Sequence, residues 1–321
     1  MADPRATWQQ LAKVGTPVWF EHQACWLVHR PSDIRNAART PDVFSNQVSG
    51  SRNLRHDFLL TTDGERHRRD RRAFAHRFGG RLAVAESAAT TVIGSRLARL
   101  PASGGVEMFS DFCVPIAAEV ADLVIGRLDE EILLEAAPEV AATLADMISD
   151  RARSSTDESP VALLAEDLRE AGCDSETADT RAGVLACSIL LALQETLASA
   201  LALTCLAIGH GERIDPQRPL KARSPLLGLF REATQDTQLG GALIRRGQIV
   251  MLAFDAASYA STEDFSFGVG AHRCPAASLA KAVVNASVAG LSTVGRVRIA
   301  APPSFRPHSH LRVPDRLECV F

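Results

Sequence analysis

Apolar positions along the chain alternate between two periods. "PVWFEHQACWLVHR" (17–30) sets aromatic and β-branched residues on either side of a polar turn, which predicts paired strands. "PSDIRNAART" (31–40) then predicts a short helix, with Ser32 as N-cap ahead of Asp33 and Ile34. Residues 63–78, "DGERHRRDRRAFAHRF", predict an arginine-rich helix capped by Asp63. Residues 84–100 and 131–150 space Leu, Val, Ile and Ala three and four apart, the helical period. The polar "RARSSTDESP" (151–160) predicts a loop, and "LGGALIRRGQIVMLAF" (239–254) a hairpin turning at Arg246–Gly247. The stretch after Cys274, "PAASLAKAVVNASVAG", is again helical. The result is a mainly α chain with minor β near both ends. With no repeat and no linker, it is expected to form one domain over 1–321.

Ala182 to Ile208, "AGVLACSILLALQETLASALALTCLAI", is long enough to span a bilayer. Gln194, Glu195 and Thr196 stand at its centre, where a bilayer penalises a carboxylate by roughly 3 kcal/mol. No Lys/Arg cluster marks one flank as cytoplasmic. A helix buried in a protein core is the better reading, with its polar triplet facing something that needs an acid and a hydroxyl. No membrane partner is expected.

Charge adds little. At 321 residues and net charge −3, nothing points to a nucleic-acid partner. Basic residues are nearly all arginine, the lysines being Lys13, Lys221 and Lys281. Seven scattered cysteines, never spaced CxxC, exclude a disulfide framework and a zinc ribbon. The polar start "MADPRATWQQ" carries no apolar signal segment, so a reduced, cytoplasmic setting is expected.

The chemistry concentrates in "FSFGVGAHRC" (265–274). Glycines before a helix can cradle phosphate, but here no lysine follows and no βαβ unit surrounds them. A catalytic thiol would need a base, for which His272 is available. A buried structural cysteine is the plainer alternative. Pro275 suits a helix's first position, which puts Cys274 at the helix N-terminus, where backbone N–H groups and the dipole favour a thiolate. Gly268 and Gly270 let the backbone bend round the sulfur. Such a thiolate suits a permanent metal ligand on one face of a flat cofactor.

"FGVGAHRCPAASLA" closely resembles the haem-ligand signature FGxGxHxCxGxxLA of the cytochrome P450 family, with Ala276 where the family has glycine. The resemblance implies a P450-like fold and a haem b whose axial thiolate, the metal ligand, is Cys274. Phe267, Gly268, Gly270, His272, Ala276 and Ala280 fall on cofactor-binding positions of that signature. "DGERHRRDRR" resembles the family's C-helix, whose HxxxR falls on His67 and Arg71. "GLFREATQDTQLGG" resembles the strand segment whose arginine is Arg231. Together with His272 these imply four partners for two propionates, which as buried carboxylates need cationic donors. "ALQET" resembles the I-helix pattern AGxET, with Leu193 in place of glycine. This implies that Glu195 and Thr196 handle protons, the alternative being a Thr196 that only back-bonds within its helix.

The family pattern is also interrupted. No ExxR lies between the long helix and Arg231, where the sequence reads "GHGERIDPQRPLKARSPL"; Glu65–Arg68 and Glu166–Arg169 have that spacing elsewhere. Only "DAASYASTED" separates the hairpin from Phe265, and 127–160 has room for about one full helix at ~1.5 Å per residue. The expected fold is therefore a P450 fold shortened in the lid, K-helix and meander, with Arg218 and Arg223 as candidate substitute braces for the cysteine loop.

The implied function is oxidation of a small or carrier-tethered organic substrate in secondary metabolism, with the pocket lined by Leu226–Phe230 and His308–Leu311. The implied electron donor is a ferredoxin or flavodoxin docking on the arginine-rich helix. Two alternatives remain: an electron-independent haem enzyme (peroxygenase, dehydratase or isomerase), and a degenerate homologue acting as a partner or allosteric subunit.

Overall fold

The computed structural model describes residues 4–15, 17–49, 58–101, 104–126, 145–150, 159–221, 223–295 and 297–321. Helices carry most of the core. α3 (Gly64–Leu97) is one continuous helix where the periodicity suggested two, because Gly79 and Gly80 stay helical between the apolar runs. Its buried stripe, including Phe74, Phe78, Ala85, Ala89 and Ile93, packs along α9 (Ala277–Leu291) and α4 (Val114–Ile125).

The long apolar segment is α6 (Ser175–Leu191), a π-helical turn (Ala192–Leu197) and α7 (Ala198–Gly209) in succession. Asp174 caps its start by accepting from the Thr177 amide at 3.0 Å. The span is apolar enough for a membrane, but 67% of its most apolar window is covered by the protein itself, as a core helix is. α5 (Pro160–Glu170), capped by Ser159, packs on α6 and α3. A buried ion pair, Arg181 Nε to Asp70 Oδ2 at 2.7 Å, fastens α6 to α3. Removing one partner of such a pair leaves a buried charge uncompensated.

Strands from both ends of the chain meet in one sheet of order β1-β2-β8-β5-β3. β1 (Val18–Phe20) and β2 (Cys25–Val28) form the first hairpin, β3 is Phe44–Ser45, β5 is Leu229–Ala233 and β8 is Ile249–Leu252. β2 and β8 run parallel, and the other pairs antiparallel. Side chains alternate across the sheet. Cys25, Leu27 and Met251 face α1 (Arg5–Leu11), while Val28, Val250 and Leu252 face Phe254, Phe265 and α2 (Pro31–Arg39).

Local expectations are corrected at the start of α2 and at the hairpin. α2 starts from Arg30 as N-cap with Pro31 first, because proline's fixed φ suits that place, and Ser32 lies inside the helix. The hairpin over 239–254 is instead β6 (Thr237–Leu239) with β7 (Ala242–Ile244), turning on Gly240 and Gly241, both at positive φ. The turn at Arg246–Gly247 is formed, with Gln248 N–H donating to the Arg245 carbonyl at 3.0 Å, but it leads into β8, which pairs with β2 and β5. Between Gly209 and Leu229 the described residues form turns and no helix. The interval before Phe265 holds a short helix, α8 (Phe254–Ala260). The expected lid region falls largely on 127–144 and 151–158, outside the described residues; residues 145–150 between them are helical.

Candidate functional site

The cysteine loop is built from backbone hydrogen bonds. Ser258 Oγ accepts from the Phe265 amide at 2.8 Å, Gly268 N–H donates to the Phe265 carbonyl at 2.8 Å, and Cys274 N–H donates to the Phe267 carbonyl at 2.9 Å. Gly268 and Gly270 take φ of +68° and +80°. At Gly270 a Cβ would lie 2.5 Å from the Ala38 carbonyl of α2, so both conformation and space require glycine. α9 begins at Ala277 with Ala276 as N-cap, which places Cys274 two residues before the cap; Pro275 belongs to the connecting turn. The sulfur still receives the Ala276 N–H. That N–H, Arg71 and Arg273 favour thiolate, but burial outweighs them and raises the thiol's pKa. Phe267, Ala276 and Ala280 pack against the helical core that also contains Leu193 and Leu197. Lys281 stands 5.5 Å over the Phe267 ring.

Four of the predicted residues gather beside this loop. His272 ends its short 3₁₀ turn, and its ring lies 3.9 Å from that of His67 in the first turn of α3. Among the described residues His67 Nε2 is buried with no hydrogen-bond partner. Burial, then His272 and Arg71, hold the His67 pKa at about 4, so its ring is neutral near pH 7. Arg231 on β5 is 3% exposed and donates to the Phe230 carbonyl at 2.7 Å; burial lowers its pKa to about 10, still cationic, and Asp63 opposes that shift. Arg71 is half-buried, and its Nη2 donates to the Arg273 carbonyl at 2.5 Å.

Two guanidiniums, two imidazoles and one carboxylate leave this cluster with surplus positive charge and an unused buried nitrogen. That is a fitting receptor for a ligand with two carboxylates that also takes a soft sulfur donor, and a haem meets both demands.

Glu195 and Thr196 belong to a different element, the π-helical turn, where both are half-buried. Thr196 Oγ1 donates to the Ala192 carbonyl, the back-bond left open from sequence. A π turn widens the helix locally and recurs at functional sites. Of the suggested pocket residues, Leu226 and Leu311 form a β-bridge, and Phe230 meets His310 edge-on at 5.6 Å on the sheet face opposite Arg231. Of the suggested braces, Arg218 Nη1 reaches the Thr262 carbonyl at 2.6 Å, whereas Arg223 pairs with Glu212.

Sequence reasoning missed what Asp63 does: its side chain turns from the helix it starts and stands 3.5 Å from His272 Nε2. Asp at a helix start signals a cap, and no local pattern announces a partner two hundred residues away.

No family model matches the sequence. The chain is 23% identical over 336 residues to a steroid C26-monooxygenase of Mycolicibacterium smegmatis, an alignment covering 83% of this chain and 76% of the relative. It superposes on HmtN, a post-tailoring hydroxylase of himastatin biosynthesis, with a TM-score of 0.80 at 19% identity, over 99% of this chain and 96% of that one. It superposes equally on P450BioI, solved with an acyl carrier protein carrying hexadec-9Z-enoic acid, with a TM-score of 0.79 at 17% identity, over 99% and 97%. The fold, mainly α with minor β, is the cytochrome P450 fold. The sequence resembles that family as well, most closely in the cysteine loop.

Proposed function

We propose that this chain is a haem-thiolate monooxygenase-type oxidoreductase acting on a small or carrier-tethered organic substrate. The observation that carries the reading is the cluster of two guanidiniums, Arg71 and Arg231, and two imidazoles, His67 and His272, beside Cys274, with a buried imidazole nitrogen unpaired among the described residues. In this reading Cys274 ligates iron, and the four cationic or imidazole groups receive the two propionates. Phe267, Gly268, Gly270, Ala276 and Ala280 shape the loop and helix start against the ring. The bound haem supplies a redox-active iron for dioxygen chemistry.

Protons are the task of Glu195 and Thr196. The Thr196 hydroxyl hydrogen is committed to Ala192, so its oxygen is left to accept, while the neighbouring half-buried Glu195 carboxylate can take up and release protons. The steroid monooxygenase and the himastatin hydroxylase support oxidation of organic substrates and a place in secondary metabolism. The carrier-protein complex of P450BioI supports the tethered alternative. Seven cysteines, with no disulfide among the described residues, suit a reducing cytoplasm. An acidic ferredoxin or flavodoxin is the proposed electron source, docking by charge on the α3 arginines.

The test is substrate oxidation driven by NADPH, a ferredoxin reductase and a ferredoxin, compared with peroxide alone. The reading expects ferredoxin-driven product formation that falls about a hundredfold in Glu195→Gln and Thr196→Ala, the scale of a lost proton-transfer group. Product formed with peroxide alone, and equally in both variants, would contradict the proton role and favour the electron-independent alternative.

A further inference from the structure

An aspartate at a helix N-cap ordinarily accepts from the amides of the first turn, a bond whose loss costs about 1 kcal/mol. Asp63 holds that position for α3 and makes no such bond. Its carboxylate accepts instead from Ser45 Oγ at 2.8 Å, the Asn46 amide at 2.8 Å and Asn46 Nδ2 at 2.6 Å. These donors come from β3 and the residue after it, so they fix the carboxylate in place from the sheet side. On its other side stands His272 Nε2, at 3.5 Å. Burial works to raise the Asp63 pKa, but hydrogen bonds from His272, Ser45 and Asn46 outweigh it and hold the acid well below the usual carboxylate range. Asp63 also lies close enough to Arg231 to favour its charged form.

We propose that Asp63 is a positioning residue that fixes His272 for its ligand by clamping one ring nitrogen from the sheet side while His67 covers the ring face. The inference rests on the haem reading above. It has a rival with the opposite sign: a fixed carboxylate beside a receptor for two carboxylates repels them, and its removal should then tighten binding. Geometry favours the clamp, because Asp63 gives up its helix-capping bond, is held by three donors, and faces the His272 ring nitrogen at 3.5 Å.

Haem transfer from the purified holoprotein to an apoglobin acceptor decides the matter. Asp63→Ala should release haem about tenfold faster, the scale of one lost charge-assisted hydrogen bond. In a His272→Ala background the same substitution should change the rate little, because Asp63 acts through that ring. A merely structural role would accelerate release equally in both backgrounds. Asp63→Asn keeps an oxygen for Ser45 and should give an intermediate rate with an unchanged far-ultraviolet circular dichroism spectrum. Unchanged or slower release in both variants, or equal acceleration with and without His272, overturns the clamp alone. A wild-type protein that takes up no haem overturns the clamp and the reading beneath it.

Discussion

The imidazole rings of His67 and His272 lie 3.9 Å apart and tilted by 31°, one from α3 and one from the cysteine loop. His67 Nε2 is buried and unpaired, a state that lowers stability.

Replacing His67 by Phe should therefore move two measurements in opposite directions. The haem-free protein should gain about 1 kcal/mol in urea unfolding, because a desolvated nitrogen is removed while the ring contact with His272 stays. The holoprotein should lose haem faster, since a propionate partner is gone. Loss of stability together with unchanged haem retention would make His67 an ordinary core residue.

Much of the fold could be read from local pattern. The apolar period of α3, the hairpin at 17–30 and the glycines before Cys274 reflect forces that act between near neighbours. The cysteine loop was legible for the same reason, since Gly270 must be glycine wherever its backbone meets α2. What escaped was set by distant partners. Asp63 leaves its cap for Ser45, Asn46 and His272, and the fully buried Asp70 pairs with the distant Arg181 as well as with neighbouring Arg69. The β6–β7 turn moved to Gly240–Gly241 because β8 is claimed by β2 and β5.

On the proposed docking helix, Glu65 competes for the arginines. Arg68 and Arg72, both well exposed, share the Glu65 carboxylate at 2.7 and 3.3 Å. Glu65→Gln should free both for an acidic ferredoxin and speed iron reduction at low salt. The gain should fade toward 1 M salt, where the Debye length falls to about 3 Å. Reduction equally fast in both proteins at every salt concentration would remove this face from the docking site.

The turns between Gly209 and Leu229 tie down both flanks of the cysteine loop. Arg218 and Lys221 donate to the Thr262 and Ser261 carbonyls at 2.6 and 2.8 Å, and Asn285 of α9 donates to the Pro216 carbonyl at 2.9 Å. Arg218→Ala and Lys221→Ala should each accelerate haem loss roughly fivefold, one hydrogen bond's worth. Arg223→Ala, whose partner is Glu212, should not. The same rate in all three variants would deny these turns any bracing role.

Acid should weaken the fold through His310. Burial, then His308, hold its pKa at about 4, against 6.5 for the free side chain. The unfolded chain thus binds the extra proton between those values, and stability is lost as pH falls from about 6.5 toward 4. His310→Asn should flatten that limb of the urea midpoint against pH. An identical slope in the variant would assign the acid sensitivity elsewhere.

Every role proposed for the cluster rests on Cys274 ligating a haem iron as a thiolate. The measurement that reaches it most directly is the optical spectrum of the purified holoprotein, reduced and exposed to carbon monoxide, beside that of Cys274→Ala. Thiolate ligation predicts the strongly red-shifted Soret band typical of it in the wild-type protein and its absence in the variant. The same band in both proteins, or no haem in the wild type after expression with a haem precursor, would contradict the account.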